Sequence, residues 1–175
     1  MTKRKVEVVP YSPDWENLFN SEKALLKDLF GKIEVGIYHI GSTSVLGLSA
    51  KPIIDILIEA ENLEFIDFVT GDIERAGYEA KGENGIDGRR FFLKSNENGV
   101  RLYHVHAFEK GNQEINRHLV FRDYLRTHPK QAAKYAEVKQ RAAASNPYDI
   151  ESYMVEKEPI IKELEKQAYK WRPYH

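Results

Sequence analysis

Cysteine is absent from this chain of 175 residues. The protein therefore has no disulfide, no thiolate metal site and no cysteine nucleophile, and this composition is typical of a reducing compartment. Long apolar runs are absent too: no secretory segment follows the charged start MTKRKVEVVP, and no stretch could span a bilayer. We therefore expect a cytoplasmic protein with no membrane partner.

Charge of one sign is also lacking, since the formal net charge is -1 at pH 7. Such a balance gives no general attraction to nucleic acid or to an anionic membrane, and any basic patch has to be local. What the chain does have is 42% hydrophobic and 30% charged residues, which is enough apolar material for a globular core. Because there is no repeat, low-complexity segment or linker, we predict a single domain over residues 1–175.

The hydrophobic pattern predicts an α+β fold, with a helix and sheet core in residues 1–110 and C-terminal helices in residues 111–175. Glycine, proline and the dipeptide Asn-Gly mark the boundaries between elements. The predicted elements, in order, are a short edge strand at Val6–Val9, a helix from Ser12 to Gly31, strands at Ile33–Ile40 and Pro52–Ile58, a helix at Asn62–Ala76, strands from Tyr78 that include Arg90–Lys94 and Val100–Phe108, and helices at Ile115–His128, Lys130–Ala144 and Tyr148–Tyr169.

A loop of small residues follows the strand that ends at Ile40. It begins with Gly41 and Ser42 and adds the hydroxyls of Thr43 and Ser44. Glycine lets the backbone approach an anion closely, and hydroxyls with exposed N–H groups can surround phosphate oxygens. The loop is therefore a candidate phosphate-binding segment.

Asp55 lies in the middle of the apolar run IIDILI. An ionised carboxylate in such a run is costly unless a metal, a cation or hydrogen bonds compensate its charge. Two interpretations stay open: Asp55 is a catalytic or metal-binding residue, or it pairs with a nearby cation such as Lys51.

His104 and His106 are two residues apart on a predicted strand and so share one face. Two imidazoles on one face can hold a divalent metal or a phosphate, and one of them can act as a general base. They can equally be hydrogen-bonded for structural reasons alone. His39, at the end of the strand before Gly41, is a possible further member of a cluster with Asp55.

His118, Arg122 and Arg126 recur at a spacing of four on a predicted helix and form a cationic row. Such a row can hold a phosphate or a carboxylate. The alternative is that these arginines pair with surface acids such as Asp123.

Three separated motifs together resemble the GrpB family, an uncharacterised group in the nucleotidyltransferase (DNA polymerase β-like) superfamily. They are HIGSTSVLGLSAKPIIDI, HVHAFE and RHLVFRDYLRTHP, and the resemblance covers nearly the whole chain. It implies a mixed or antiparallel sheet flanked by helices, and a pocket for a nucleotide or another phosphorylated small molecule. In this interpretation Gly41–Ser44, Lys51 and the row of His118, Arg122 and Arg126 bind phosphate.

The chain departs from the second half of the superfamily signature. Its second acid falls at Leu57, and where a third acid is expected the chain has His104 and His106. Two-metal phosphoryl transfer needs carboxylates that hold ions about 4 Å apart. Glu59 is too distant to replace the missing acid, since four residues along a strand span about 13 Å. We therefore expect at most one divalent ion, Mg²⁺ or Mn²⁺, held by Asp55, His104 and His106.

Two functions follow from these residues. The first is a nucleotidyltransferase variant in which Asp55, His104 and His106 are catalytic. The second is a binding module that recognises a nucleotide or anion without turnover. A third possibility, an interaction domain, rests only on the helical C-terminal half.

Overall fold

The computed structural model describes residues 3–172 and confirms the α+β class. The ends of the predicted domain, residues 1–2 and 173–175, lie outside the described residues. In chain order the elements are α1 (Asp14–Phe30), β1 (Val35–Ile40), a 3-10 turn (Ser42–Ser44), β2 (Ile54–Ala60), α2 (Leu63–Arg75), β3 (Tyr78–Ala80), β4 (Arg89–Ser95), β5 (Arg101–Glu109), α3 (Gln113–Thr127), α4 (Pro129–Ser145) and α5 (Ile150–Trp171).

The five strands form one mixed sheet in the order β1-β2-β5-β4-β3. β2 and β5 run parallel at its centre, and the other neighbours are antiparallel. A parallel pair needs a long crossover connection, which α2, β3 and β4 provide between β2 and β5. The Asn-Gly hairpin predicted between β4 and β5 is confirmed by the turn at Asn96–Gly99.

One face of the sheet packs against α1 and α2. Alternate residues of β2 and β5, among them Ile56 and Val105, meet Leu26 of α1 and Ile66 of α2 in the largest apolar cluster. These four side chains are completely buried, which stabilises the fold by roughly 1.5–3 kcal/mol for each of them. The apolar faces of α1 and α2 are therefore buried against this face of the sheet.

The other face carries the candidate site. α3 covers one part of it, where Ile115 packs against Ile40, Leu57 and Phe108. α4 and α5 pack beside α3 in a separate apolar cluster that also takes in Val45 and Leu48 from the loop after β1. The C-terminal helices thus fix the loop to the open part of this face.

The edge strand predicted at Val6–Val9 is wrong. Val9 forms an isolated bridge to Ala50 outside the sheet, while Val6 packs beneath α5 against Tyr153. The alternating pattern of this segment reflects burial of Val6 against helices rather than against a sheet. No helix within residues 3–172 combines the length and the apolar character needed to cross a bilayer.

Candidate functional site

Gly41 brings the loop backbone directly against Asp55. Its φ is +73°, in the left-handed region, and a Cβ at this position would lie 2.8 Å from Asp55 Oδ2. Both constraints strongly favour glycine over any residue with a side chain. The loop therefore starts with its backbone packed on the acid of the predicted cluster.

The remainder of the loop is held by its own polar groups. The Ser44 hydroxyl donates to the Gly41 carbonyl, and the Thr43 hydroxyl lies 2.9 Å from His39 Nε2. The His39 ring stacks on Phe19, and burial lowers the pKa of His39 to about 4, with the charge of Arg126 adding to the effect. His39 is thus a neutral support for the loop at pH 7.

Asp55 and the two histidines of β5 do come together, as the sequence predicts. Asp55 is paired with His104 in the parallel β2–β5 register, and Leu57 is paired with His106. Asp55 Oδ1 lies 3.2 Å from His106 Nε2 and 3.7 Å from His104 Nδ1. Burial by itself would raise the pKa of Asp55, but the hydrogen bond from His106 and the nearby histidines outweigh it and lower that pKa. The carboxylate is therefore charged at neutral pH.

His106 is fixed between an acid and an arginine. Its Nδ1 lies 3.3 Å from Nη1 of Arg89, a side chain that also donates to the carbonyls of Glu83 and Asn84 in the glycine-rich loop before β4. Because guanidinium can only donate, Nδ1 accepts and the ring proton lies on Nε2, where it is donated to Asp55. Both ring nitrogens of His106 are therefore already in use.

His104 has one nitrogen without a partner. Its Nε2 is buried and makes no hydrogen bond to any described residue. Burial lowers the pKa of His104 to about 4 against the opposing effect of Asp55, and the charges of Arg101 and Lys51 add to the lowering. His104 is thus a neutral imidazole that can offer a hydrogen bond to a ligand.

The three residues do not form a ready metal site. Within residues 3–172 no three His, Asp or Glu side chains are arranged to hold an ion between them. In the present arrangement His106 Nε2 donates to Asp55, so a metal ion would have to displace this proton to use that atom. Binding of Mg²⁺ or Mn²⁺ stays a prediction, and no reaction step is derived from it.

A cavity of about 280 Å³ opens beside the loop and Asp55. Among the described residues, Asp55 is the only acid in its lining, and three lysines from three different parts of the chain surround it. The polar lining comprises Ser42, Thr43, Lys51, Asp55, His104, Tyr135, Lys139, Tyr153 and Lys157. None of these three lysines forms an ion pair within the part of the chain that the structure describes. The cavity is therefore positively charged.

Lys139 of α4 reaches the loop from within the protein. Only 2% of the residue is exposed, and its Nζ donates to Ser42 Oγ at 2.8 Å and to the Ser49 carbonyl at 2.6 Å. Burial, together with the charges of Lys157 and Lys51, lowers the pKa of Lys139 to about 7. Burial and the charge of Lys51 likewise lower the pKa of Lys157 to about 8. Two of the three lysines are thus only partly protonated near neutral pH.

The cationic row of α3 does not line this cavity. Arg122 donates to the His39 carbonyl at 3.2 Å, and Arg126 donates to the Ser44 carbonyl at 3.0 Å. Arg122 also pairs with Asp123, as the structural alternative predicted. His118 packs on the ring of His106, and burial lowers its pKa to about 3. The row therefore contacts the loop and the histidines from outside this cavity, and phosphate binding by it stays a prediction.

Two further expectations concern residues that could contact Asp55, namely His39 and Lys51. His39 cannot join Asp55, because Ile40 is the residue opposite Asp55 and His39 faces the other side of the sheet. Asp55 makes no ion pair with Lys51 among the described contacts, although both line the cavity. Leu57, where a second acid was expected, is completely buried under α3.

Sequence reasoning missed the residues that α4 and α5 contribute. Lys139, Tyr135, Tyr153 and Lys157 are not among the candidate residues that the sequence indicates, yet all four line the cavity. The missed signal is spacing: Lys139 follows Ala132 and Tyr135 on the buried stripe of α4 and precedes Ala142 and Ala143. A lysine on an apolar stripe indicates a buried charge, which is costly unless another group or a ligand compensates it.

A family model described as GrpB protein matches residues 5–167. The chain belongs to the GrpB family. It is 46% identical over 170 residues to UPF0157 protein YqkA of Bacillus subtilis, covering 97% of this chain and 49% of that protein. It is 35% identical to the glutamate-rich protein GrpB of Alkalihalophilus pseudofirmus, covering 94% of this chain and 96% of that protein. The chain thus spans about half the length of YqkA and nearly all of the second relative.

A solved GrpB structure has the same fold. The crystal structure of conserved protein GrpB from Enterococcus faecalis matches with a TM-score of 0.89 and 42% identity, covering 94% of this chain and 98% of that one. Structural neighbours also include the Cid1 poly(U) polymerase, with a TM-score of 0.48, 11% identity and coverage of 75% and 45%. That likeness is too low to support any inference about activity.

Proposed function

We propose that this GrpB protein binds a nucleotide or another phosphorylated small molecule in the cavity beside Asp55. The observation that carries the proposal is the lining itself: Lys51, Lys139 and Lys157 surround a small-residue loop and face a single carboxylate. Burying lysines without carboxylate partners costs free energy, which an anionic ligand recovers by supplying the missing charge.

The polar groups of the cavity suit phosphate oxygens. The Ser42 hydroxyl and Lys139 Nζ are 2.8 Å apart and can donate to the same phosphate group. The Tyr153 hydroxyl, in a completely buried residue, has no hydrogen-bond partner among the described residues. A ligand that carries several oxygens satisfies these groups together. Asp55 and His104 remain on the far side to contact a hydroxyl or an amino group.

Isothermal titration calorimetry tests the proposal with ATP, CTP and GTP, each with and without Mg²⁺ or Mn²⁺. We expect one of these nucleotides to bind with a stoichiometry of one, because the cavity has room for a single polyphosphate chain. Binding that requires the ion would support the predicted metal, and equal binding without it would argue against that metal. Absence of heat in every condition contradicts the proposed function.

The second candidate is a transferase that uses the same cavity. The observation that favours it is the chain of contacts from Arg89 through His106 to Asp55, which fixes the position and charge of one carboxylate. In that arrangement Asp55 accepts the proton of a hydroxyl that attacks the α-phosphorus of the bound nucleotide, and the bond from that phosphorus to pyrophosphate breaks as pyrophosphate leaves. Without a second acid at Leu57, this activity has less support than binding.

An Asp55→Asn variant separates the two functions. Mass spectrometry of the protein incubated with a bound nucleotide should reveal a product if the transferase function holds, and Asp55→Asn should abolish the product while retaining binding. If the wild-type protein binds a nucleotide and forms no product, the binding module is the correct description.

A further inference from the structure

A second cavity of about 570 Å³ adjoins the first one. The two cavities share Lys51, Ile53 and His104, which form the wall between them. On the far side of this wall the second cavity is lined by the N-terminal segment Lys3–Lys5, by Arg101 at the start of β5 and by the first residues of α5. A ligand in either cavity therefore reaches the same wall.

The second cavity carries positive charge that is not neutralised. Among the described residues, Lys3, Arg4, Lys51 and Arg101 make no ion pair with an acid. Asp149, an acid in the lining, caps α5 by accepting from Ser152. The other acid is Glu151, which is exposed. Positive charge thus prevails beside the wall.

Two buried polar atoms at this position lack partners. Arg101 Nε and His104 Nε2 are both buried, and neither makes a hydrogen bond within the described chain. A guanidinium N–H that is buried and unpaired destabilises the folded protein. Both residues line the second cavity, so one bound phosphate group can accept from Arg101 Nε through an anionic oxygen and donate to His104 Nε2 through a protonated one.

We propose that the second cavity binds a second, separate ligand: a small molecule that carries a phosphate group, held by Arg101 and the N-terminal cations. This inference extends the proposed function, because the two ligands would meet at His104 and Lys51. The shared wall would place the second molecule next to the phosphates of the first. A small molecule is favoured over a nucleic acid because the cationic lining is short and includes Glu151.

Nuclear magnetic resonance of the 15N-labelled full chain tests this assignment, with inorganic phosphate as the probe. We expect phosphate to shift the amides of residues 3–6, 101 and 148–151 when ATP occupies the first cavity. Arg101→Gln should weaken that response about tenfold, as the loss of a charge-assisted hydrogen bond predicts. Arg141→Gln is the matched control, because Arg141 is exposed on α4 and lines neither cavity.

The same titration without ATP separates this inference from the proposed function. If ATP fails to bind but phosphate still shifts the second set of amides, the proposed function fails and the second site stands. If ATP binds but phosphate shifts only residues 41–44, or if Arg101→Gln behaves as Arg141→Gln does, the second site is overturned. A response to a ten-nucleotide RNA without any response to phosphate would also overturn the small-molecule assignment.

Discussion

Gly41 joins the loop to the acid of the site. Its left-handed backbone and its contact with Asp55 are separate constraints, and Gly47, later in the same loop, shares only the first. Gly47 has φ +80°, and a Cβ added there would meet no atom within 4 Å, whereas a Cβ added at Gly41 would meet the Asp55 carboxylate. Substitutions at Gly41 and Gly47 can therefore be compared to separate the cost of the backbone conformation from the effect of contact with Asp55.

Gly41→Ala should destabilise the protein and abolish nucleotide binding, while Gly47→Ala should only destabilise it. Both variants incur about 1–2 kcal/mol for a left-handed alanine. Only Gly41→Ala displaces Asp55. Urea unfolding gives the free energy and calorimetry gives the affinity. Equal affinities in the two variants would show that the Gly41–Asp55 contact has no part in binding.

Leu57 occupies the position of the missing acid, and its surroundings show that restoring the acid is not a simple exchange. Leu57→Asp should reduce the free energy of unfolding by several kcal/mol, since it buries an unpaired charge between Ile40 and Phe108. Leu57→Met conserves volume and should cost less than about 1.5 kcal/mol. Chemical denaturation of both variants measures the difference, and a stable Leu57→Asp protein would contradict the packing described.

At the residue scale, the sequence predicted which side chains share a face of a strand. It did not predict the hydrogen bonds that those side chains make with distant residues. His104 and His106 face Asp55 because residues two apart share a face, and the register of a parallel pair brings them level. The sequence could not predict which ring nitrogen of His106 carries the proton, because this depends on the contact with Arg89 from another strand. The expectation that His39 joins Asp55 was wrong by one position. Ile40 lies opposite Asp55, and neighbouring residues of a strand face opposite sides of the sheet.

At the scale of elements, α3 holds the start of the loop after β1 in place. Arg122 donates to the His39 carbonyl before the 3-10 turn, and Arg126 donates to the Ser44 carbonyl at the end of that turn. The helical spacing of four residues, which suggested a row for an anion, places the two arginines along this turn. Periodicity predicted the row but not its acceptor, because carbonyl positions follow from tertiary packing.

Arg126→Gln should loosen the loop. Hydrogen–deuterium exchange of the amides of residues 42–48 should become faster, since one tether of the loop is removed. Arg75→Gln is the control, because Arg75 is exposed on α2 and pairs only with Asp72 among the described residues. Unchanged exchange at these amides in Arg126→Gln would mean that the loop is held by Val45 and Leu48 alone.

At the scale of the whole molecule, the cavity exists only because distant parts of the chain meet. The loop between β1 and β2 and Asp55 of β2 form one side, β5 supplies His104, and α4 and α5 supply Lys139 and Lys157. The sequence predicted the sheet contribution, since it lies within two contiguous motifs. It could not predict the helical contribution, because that depends on how α4 and α5 rotate onto the sheet.

Nucleotide binding should take up about one proton at pH 8 and almost none at pH 6. In the free protein the pKa of Lys139 is about 7 and that of Lys157 about 8, so at pH 8 both are largely or partly neutral. Bound phosphates favour the charged form of both lysines and raise both pKa values, so binding takes up protons and the affinity falls as the pH rises from about 7. Calorimetry in buffers of different ionisation enthalpy measures the uptake. A value of zero at pH 8 would place the phosphates away from these lysines.

We expect phosphate binding in this cavity to depend most on Lys139, and calorimetry with ATP on two variants of α4 tests this expectation directly. Lys139→Met removes the buried charge beside Ser42, and Lys134→Met removes an exposed charge earlier on the same helix. We expect Lys139→Met to fold with unchanged or higher thermal stability, because a desolvated lysine is removed, and to bind ATP at least about tenfold more weakly than Lys134→Met does. Equal affinity of the two variants for ATP would contradict the central claim that this cavity binds phosphate.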